Sequence, residues 1–218
     1  MTGRRLWART AIAGIVVYVA IDVALVFLRP HFSVLHNAES DYGSHGPYGW
    51  LMDVNFLLRC ALSLAAVRAL ALAVPQSTRL RLGLGLLAAW AAASGLLAFF
   101  PDDPVGTTIH GLAPKIHLAL AGVAFVCVAV GTRLATRALG RLPRWRPAIL
   151  PLAVLSWGAY VPVILLGKSH LRAHSLGGLW EKIFLGVELA WFLLVALRIA
   201  RDDDAAEIAA EVTPVPAA

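Results

Sequence analysis

Six apolar runs, each about as long as a bilayer is thick, place the strongest limit on how this chain can fold. A helix rises about 1.5 Å per residue, so about 20 apolar residues cross a hydrocarbon core of about 30 Å. Because lipid offers no partners to backbone N–H and C=O groups, such runs must be helical. The sequence therefore predicts an all-α integral membrane protein, a bundle of six transmembrane helices. The runs cover residues 11–28, 50–73, 82–100, 116–136, 149–167 and 182–200.

The composition agrees with a single membrane domain. Of the 218 residues, 59% are hydrophobic and only 15% are charged, which leaves little room for a soluble module. The first run continues too far for a signal peptide and no clean small-residue cleavage site precedes Arg29, so it is predicted to be a retained helix. The transmembrane domain is assigned to residues 1–201. The tail, residues 202–218, is acidic and then Pro/Ala-rich and is predicted to be disordered.

The basic residues predict how the bundle is oriented. Thirteen of the 19 Lys and Arg residues fall at the N-terminus, in the even-numbered loops or at the C-terminus, and five fall in the odd-numbered loops. By the positive-inside rule, both termini are predicted to be cytoplasmic, in a multi-pass protein of the bacterial inner (cytoplasmic) membrane. This asymmetry accounts for the net charge of +6, so no nucleic-acid partner is expected.

One basic residue, Arg59, lies near the middle of the second run. An unpaired guanidinium at that depth is costly, so we expect an acidic partner. Asp22 in the first run and Glu188 in the sixth lie at matching depths. The pair could be structural and fix helix packing, or it could belong to a proton or ligand pathway.

The histidines and the acids are concentrated on the side predicted to be outside. All seven histidines and every acid that precedes the tail fall there. Long outer loops account for most of them, but not for four residues in the outer halves of helices: Asp22, Asp53, His117 and Glu188. These four predict a polar pocket that opens outward. Its candidate ligand-binding residues are Ser40, Asp41, Asp22, Arg59 and Glu188.

The connection between the third and fourth runs, FFPDDPVGTTIHGLAPKIH (residues 99–117), concentrates polar chemistry. Pro101 and Pro104 end the incoming helix, since proline lacks a backbone N–H and disfavours helix in the preceding residue. Pro151 and Pro162 similarly predict bends in the fifth helix. The connection is either a solvated turn or the floor of a site. If it is a site, the candidate catalytic residues are Asp53, Asp103, His110 and His117.

Imidazole and carboxylate groups are suitable zinc ligands, and a catalytic zinc needs three of them and a water. If the fourth helix begins early, His110 and His117 are two turns apart on one face, and if the third outer loop is helical, His170 and His174 share a face one turn apart. No HExxH spacing is present, so the pattern allows a divalent metal such as zinc without requiring it. Haem is less favoured, because only His117 lies firmly within a predicted helix. The candidate metal ligands are Asp103, His110, His117, His170 and His174.

Three stretches of this sequence resemble one family of bacterial membrane proteins. They are SDYGSHGPYGWLMDVNF (residues 40–56), the FPDDP turn followed by TIHGLAPKIHLALAG (residues 100–122), and LWEKIFLGVELAW (residues 179–191). Together they resemble the family catalogued as domain of unknown function 998 (DUF998). The resemblance extends from the first helix to Arg201, and the family carries no established activity.

The resemblance implies a six-helix bundle with a set of shared residues. The Phe-Pro-x-Asp turn of many relatives is matched by residues 100–103, whereas their Glu/Gln-Arg pair at the start of the sixth helix is Glu181–Lys182 here. A lysine cannot reproduce the two-pronged hydrogen bonding of an arginine. The shared residues are Ser40, Asp41, Gly43, Gly46, Pro47, Asp53, Pro101, Asp103, His110, Gly111 and His117.

These observations support two hypotheses of different kinds. The first is a polytopic membrane protein of uncharacterised function whose outward-facing His/Asp-lined pocket binds a lipid, a small ligand or a metal. The alternative is a metal-dependent intramembrane hydrolase that acts on a lipid or lipid-linked substrate at the outer leaflet. A transporter is less favoured, because the inner halves of the helices lack polar residues for a through path.

Overall fold

The computed structural model describes residues 3–103, 111–169 and 175–201, and all regular secondary structure in these ranges is helical. Six helical segments are long and apolar enough to cross a membrane, which confirms the six predicted helices. They extend several residues beyond most of the apolar runs. The segments are Gly3–Leu28, Trp50–Ala73, Thr78–Phe99, Ala113–Leu139, Pro143–Ser169 and Gly177–Arg201.

The described residues form seven α-helices, because the fifth segment is divided in two. Ser77 caps one helix start, where its side chain accepts a hydrogen bond from the Leu80 N–H. Short 3₁₀ turns cover Ser40–Gly43, Leu97–Phe99 and Pro143–Trp145. The α-helices are α1 (Gly3–Leu28), α2 (Trp50–Ala73), α3 (Thr78–Leu96), α4 (Ala113–Leu139), α5 (Arg146–Gly158), α6 (Tyr160–Ser169) and α7 (Gly177–Arg201).

The division between α5 and α6 falls just before Pro162. Pro162 lacks the N–H that would bond to the Gly158 carbonyl, so the ladder of helical hydrogen bonds is interrupted there. The predicted bend at Pro162 corresponds to this break. Pro151, the other predicted bend, lies within α5 and does not divide it.

Consecutive helices pack side by side from α1 to α5, and α7 closes the bundle against α1. Small residues allow α3 and α4 to approach closely: a Cβ added at Gly83 would lie 3.1 Å from the Gly131 carbonyl oxygen. The helix α6 follows a different course, packing on α7 and on α5 and making little contact with α4.

Residues 29–49 connect α1 to α2 and fold into turns across one end of the bundle, which we call the long-loop end. The buried guanidinium of Arg29 donates from Nη1 to the Tyr42 carbonyl oxygen at 2.5 Å. Asp41 is also buried and accepts a hydrogen bond from the side-chain amide of Asn37 at 2.6 Å. The loop is therefore held in shape by its own polar side chains.

The same loop docks on the start of α7. The Leu179 N–H donates to the Leu35 carbonyl at 3.0 Å, and Lys182 donates from Nζ to the Asn37 carbonyl at 2.7 Å. A Cβ added at Gly178 would lie only 2.0 Å from the Asn37 carbonyl oxygen. This close approach requires glycine at position 178, and it seats the loop deep enough to carry side chains into the bundle.

Candidate functional site

Arg59 on α2 forms a buried ion pair with Glu39, which the loop contributes. Its Nη1 lies 3.2 Å from Oε2 of Glu39, and the hydroxyl of Tyr18 on α1 donates to the other carboxylate oxygen. The Arg59 Cζ atom also lies 5.1 Å from the ring centroids of both Phe56 and Trp90. Aromatic rings attract a desolvated cation, so Arg59 is balanced by a carboxylate and by its aromatic surroundings.

The prediction that Asp22 or Glu188 would be the partner of Arg59 is therefore wrong. Asp22 lies near Glu39 and lines the same cavity, close enough for an electrostatic interaction between the two carboxyl groups. Glu188 is buried, and neither of its carboxyl oxygens has a hydrogen-bond partner among the described residues. The depth argument considered only acids within helices, whereas residues 29–49 fold back and carry Glu39 to the depth of Arg59.

A second cluster joins the loop to the start of α4. The Ser40 hydroxyl donates to Oδ2 of Asp102 at 3.0 Å, and Nε2 of His117 lies 3.7 Å from the same oxygen. Nδ1 of His117 lies 2.6 Å from the Phe100 carbonyl oxygen. Since a carbonyl only accepts hydrogen bonds, this contact requires a proton on Nδ1 and directs Nε2 toward Asp102.

This cluster pairs a carboxyl group with an imidazole in a largely buried setting. Burial raises the pKa of Asp102. The nearby His117 lowers this pKa, but burial is the larger effect. The hydroxyl of Ser40 is bonded to the carboxylate rather than to the imidazole, so the order of groups differs from that of a Ser-His-Asp triad. The arrangement is suited to holding a polar ligand group or to transferring a proton.

The two clusters meet at a cavity of about 80 Å³, which we call the central cavity. Its lining combines polar and apolar residues, as in many small-molecule sites, and we call these two sets the polar wall and the apolar wall. The polar wall consists of Ser40, Arg59, Asp102, His117, Ser175 and Glu181, and the apolar wall includes Phe56, Leu97, Leu118, Ala121, Phe125 and Leu166.

A separate cavity of about 200 Å³ lies between α1 and α7. It is lined on its polar side by Tyr18, Asp22, Glu39 and Lys182. Glu39 borders this cavity while its partner Arg59 borders the central cavity. The ion pair therefore stands between the two.

The structure does not gather the four acids and histidines of the helices into one pocket. His117 lines the central cavity, Asp22 lines the cavity between α1 and α7, and Glu188 lines neither. Asp53 lies in the first turn of α2, close enough to His117 for an electrostatic interaction. Asp41 is engaged in holding the loop together.

Among the residues of the central connection, Asp102 rather than Asp103 contacts His117 and Ser40. The backbone N–H of Asp103 donates to Oδ1 of Asp102 at 2.9 Å. The other predicted histidines of the site, His110, His170 and His174, lie outside the described residues. Within the described ranges, no group of three or more His, Cys, Asp or Glu side chains is placed to hold a metal ion.

Sequence reasoning left Glu39, Asp102 and Glu181 out of the candidate site. Glu39 was visible only as one of several loop acids, and no sequence signal indicates that this loop enters the bundle. Asp102 and Asp103 are neighbours with the same chemistry, so only their backbone geometry distinguishes them. Only the folded backbone places Glu181 at the site, where its carboxylate accepts a hydrogen bond from the Glu39 N–H at 3.3 Å.

The fold and the site define an all-helical, multi-pass membrane protein with a small polar cavity at one end of its bundle. The chain belongs to the family described as "Protein of unknown function (DUF998)", whose sequence profile matches residues 12–198. The family resemblance of the three sequence stretches is thereby confirmed. No curated protein and no solved structure matches the chain.

Proposed function

We propose that this protein is a multi-pass protein of the bacterial inner membrane that binds a small ligand in the central cavity. In this proposal the termini are cytoplasmic and the long-loop end faces outward. The observation that carries the proposal is the meeting of the Arg59–Glu39 pair and the Ser40–Asp102–His117 cluster at one cavity with an apolar wall. Ligand sites commonly combine an apolar wall with a few directed polar groups.

Packing alone does not account for this arrangement. Cavities that stay empty are lined by apolar groups, whereas a cavity with polar walls holds water or a ligand. Arg59 and His117 are only 2% and 3% exposed, and burying such groups destabilises a fold unless they are paired. Here the polar groups are paired with one another and also line the cavity, so a ligand in the cavity can reach them.

The size of the cavity limits the ligand. An apolar cavity of about 150 Å³ accepts benzene, so a cavity of about 80 Å³ holds a few waters or a group of a few non-hydrogen atoms. The expected ligand is therefore a small molecule, or a lipid of which only the headgroup enters.

Two matched variants of α4 test the binding site. Ala121→Phe introduces a ring into the apolar wall, whereas Ala119→Phe introduces the same ring on the exposed surface two residues away. The full chain is purified in maltoside detergent, and co-purified small molecules are measured by native mass spectrometry. Wild type and Ala119→Phe are expected to retain a bound species that Ala121→Phe loses. Equal retention in all three proteins would contradict the proposal.

The orientation has its own test, in a background with Cys60→Ala and Cys127→Ala. His45→Cys introduces a thiol at an exposed loop position of the long-loop end, and Gln76→Cys introduces one at an exposed position of the opposite end. A membrane-impermeant thiol reagent applied to intact cells, with the outer membrane permeabilised, is expected to label His45→Cys only. Labelling of Gln76→Cys alone would reverse the orientation.

The Asp102–His117 pair also favours a second function, the metal-dependent intramembrane hydrolase. Carboxylate and imidazole are two of the three protein ligands that a catalytic zinc requires. Elemental analysis of the purified full chain tests this function, with His117→Ala beside wild type. Near-stoichiometric zinc that disappears in His117→Ala would support the hydrolase. Well-folded protein without metal would contradict it and leave the ligand-binding function unaffected.

A further inference from the structure

Residues of both α4 and α6 line the apolar wall of the central cavity. The Tyr160 hydroxyl, at the start of α6, donates to the Ala129 carbonyl of α4 at 3.3 Å and ties the two helices together there. Beyond this point α6 packs on α7 and makes little contact with α4. Leu166 on α6 and Ala121 on α4 both line the cavity and are both partly exposed. Among the described residues, α4 and α6 are therefore loosely packed beside the cavity, and we call this side of the cavity the crevice between α4 and α6.

The polar wall carries an excess of acidic groups. Arg59 is the only described Lys or Arg that lines the cavity, and its charge is already balanced by Glu39. The carboxyl groups of Asp102 and Glu181 also line it, and His117 is the only other described lining residue that can carry a positive charge. An anionic ligand group would face these carboxylates. A cationic or hydrogen-bond-donating group would be complementary to them.

Aromatic side chains strengthen the preference for a cation. Phe56 and Phe125 line the same cavity, so an ammonium group there would meet two rings as well as two carboxyl groups. Aromatic rings attract ammonium ions, most strongly where water is excluded. A neutral hydroxyl group of the same size would gain only the hydrogen bonds.

Together with the proposed function, on which this inference rests, the geometry points to a ligand class. We propose that the cavity binds a membrane-dissolved amphiphile with a small alkylammonium headgroup. The ammonium lies against Asp102 and Glu181, and the alkyl chain leaves through the crevice between α4 and α6. The volume of about 80 Å³ fits a headgroup of a few non-hydrogen atoms. Because the alkyl chain leaves through the crevice, the cavity volume does not limit its length.

Four probes separate the parts of this inference when added to the full chain in maltoside detergent. Octylamine, octanol and octanoate share a chain and differ in headgroup, and ethylamine carries the same headgroup without the chain. Binding is measured at neutral pH from the rise in unfolding temperature with probe concentration, since a ligand that binds only the folded state stabilises it. We expect octylamine to bind at least about tenfold more tightly than each of the other three, a difference of about 1.4 kcal/mol.

Variants assign the binding to the proposed groups. Asp102→Asn keeps the shape of the side chain but removes its charge, so the preference for octylamine over octanol should fall severalfold. Glu181→Gln serves the same purpose if Asp102→Asn does not fold. Ala121→Phe should abolish the binding of octylamine, whereas Ala119→Phe should leave it unchanged.

The outcomes distinguish this inference from the proposed function. If octylamine and octanol bind equally and Asp102→Asn does not change their binding, the proposed preference for an ammonium headgroup is wrong. If ethylamine binds as tightly as octylamine, the proposed contribution of the alkyl chain is wrong and the ligand is a soluble amine. In both cases a loss of binding in Ala121→Phe alone would still support the cavity as a ligand site. If Ala121→Phe and Ala119→Phe behave alike with every probe, the inference fails together with the site.

Discussion

Arg59 at the long-loop end and two arginines at the opposite end of the bundle make contacts of different kinds. At the long-loop end, Arg59 is paired with the side chain of Glu39 and lines a cavity. At the opposite end, Arg144 donates from Nη2 to the Ala73 carbonyl, and Arg198 donates from Nη2 to the Arg144 carbonyl at 2.9 Å. Arg144 and Arg198 therefore join helix ends through the backbone, whereas Arg59 depends on other side chains, above all on the carboxylate of Glu39.

This difference in the partners of the arginines distinguishes a structural role at the opposite end from a site at the long-loop end. A hydrogen bond to a backbone carbonyl does not depend on the identity of the residue that offers it. A buried ion pair does, because removal of one partner leaves an uncompensated charge. The long-loop end is thus the region where single substitutions should have the largest effects and where charge has been retained at some cost to stability.

The largest effect is expected for Glu39→Ala. It leaves the guanidinium of Arg59 buried without its carboxylate, which typically costs about 3–5 kcal/mol. The folded yield and the unfolding temperature in detergent measure this loss. The double variant Glu39→Leu with Arg59→Met removes both charges and should recover much of the stability. If the Glu39→Ala protein is as stable as wild type, the proposed difference between the two ends is wrong.

A smaller effect is expected where the loop docks on α7. Gly178→Ala places a methyl group against the Asn37 carbonyl and should cost about 1–3 kcal/mol through displacement of the backbone. Gly186→Ala on the same helix is the control, because no atom lies within 4 Å of its added Cβ. It should be neutral, or stabilising by up to about 1 kcal/mol through helix propensity. Equal unfolding temperatures for the two variants would contradict the close docking of the loop.

At the opposite end, Arg144→Met should cost only about 0.5–1.5 kcal/mol, the usual net value of one hydrogen bond. Ligand retention should not change, because Arg144 is remote from the central cavity. Arg146→Met, at an exposed position two residues away, should have almost no effect on the unfolding temperature. A change in retained ligand for Arg144→Met would show that the two ends are coupled.

The smallest expected effect has the opposite sign. Burial raises the pKa of Asp102, so the ionised carboxylate is disfavoured in the folded state. At neutral pH, Asp102→Asn should therefore raise the unfolding temperature slightly, by no more than about 2–4 °C. The folded state binds the proton of Asp102 more tightly than the unfolded state does, so this advantage should shrink as the pH falls toward about 4. An advantage that grows on acidification would contradict the raised pKa.

The lengths of the apolar runs and the family resemblance predicted most of the fold. Six apolar runs predicted six spanning helices, because helix formation by a long apolar run is a local property of the chain. Of the two bends predicted at Pro151 and Pro162, only the one at Pro162 coincides with a break in the fifth segment. Depth arguments failed for Arg59, because they treated residues 29–49 as a surface connection. A loop is able to enter a bundle only if its own polar groups are satisfied, and here Arg29 and Asp41 do this.

What the sequence determined by itself is the class of the protein: the number of spans, their helical form and the family. Lipid leaves no other way to satisfy the backbone of a long apolar run. The tertiary structure alone decided which acid meets Arg59, which of Asp102 and Asp103 meets His117, and where the cavity lies. Those outcomes depend on contacts between residues far apart in the chain, and a side chain of given chemistry carries no mark of its partner until the backbone brings the two together.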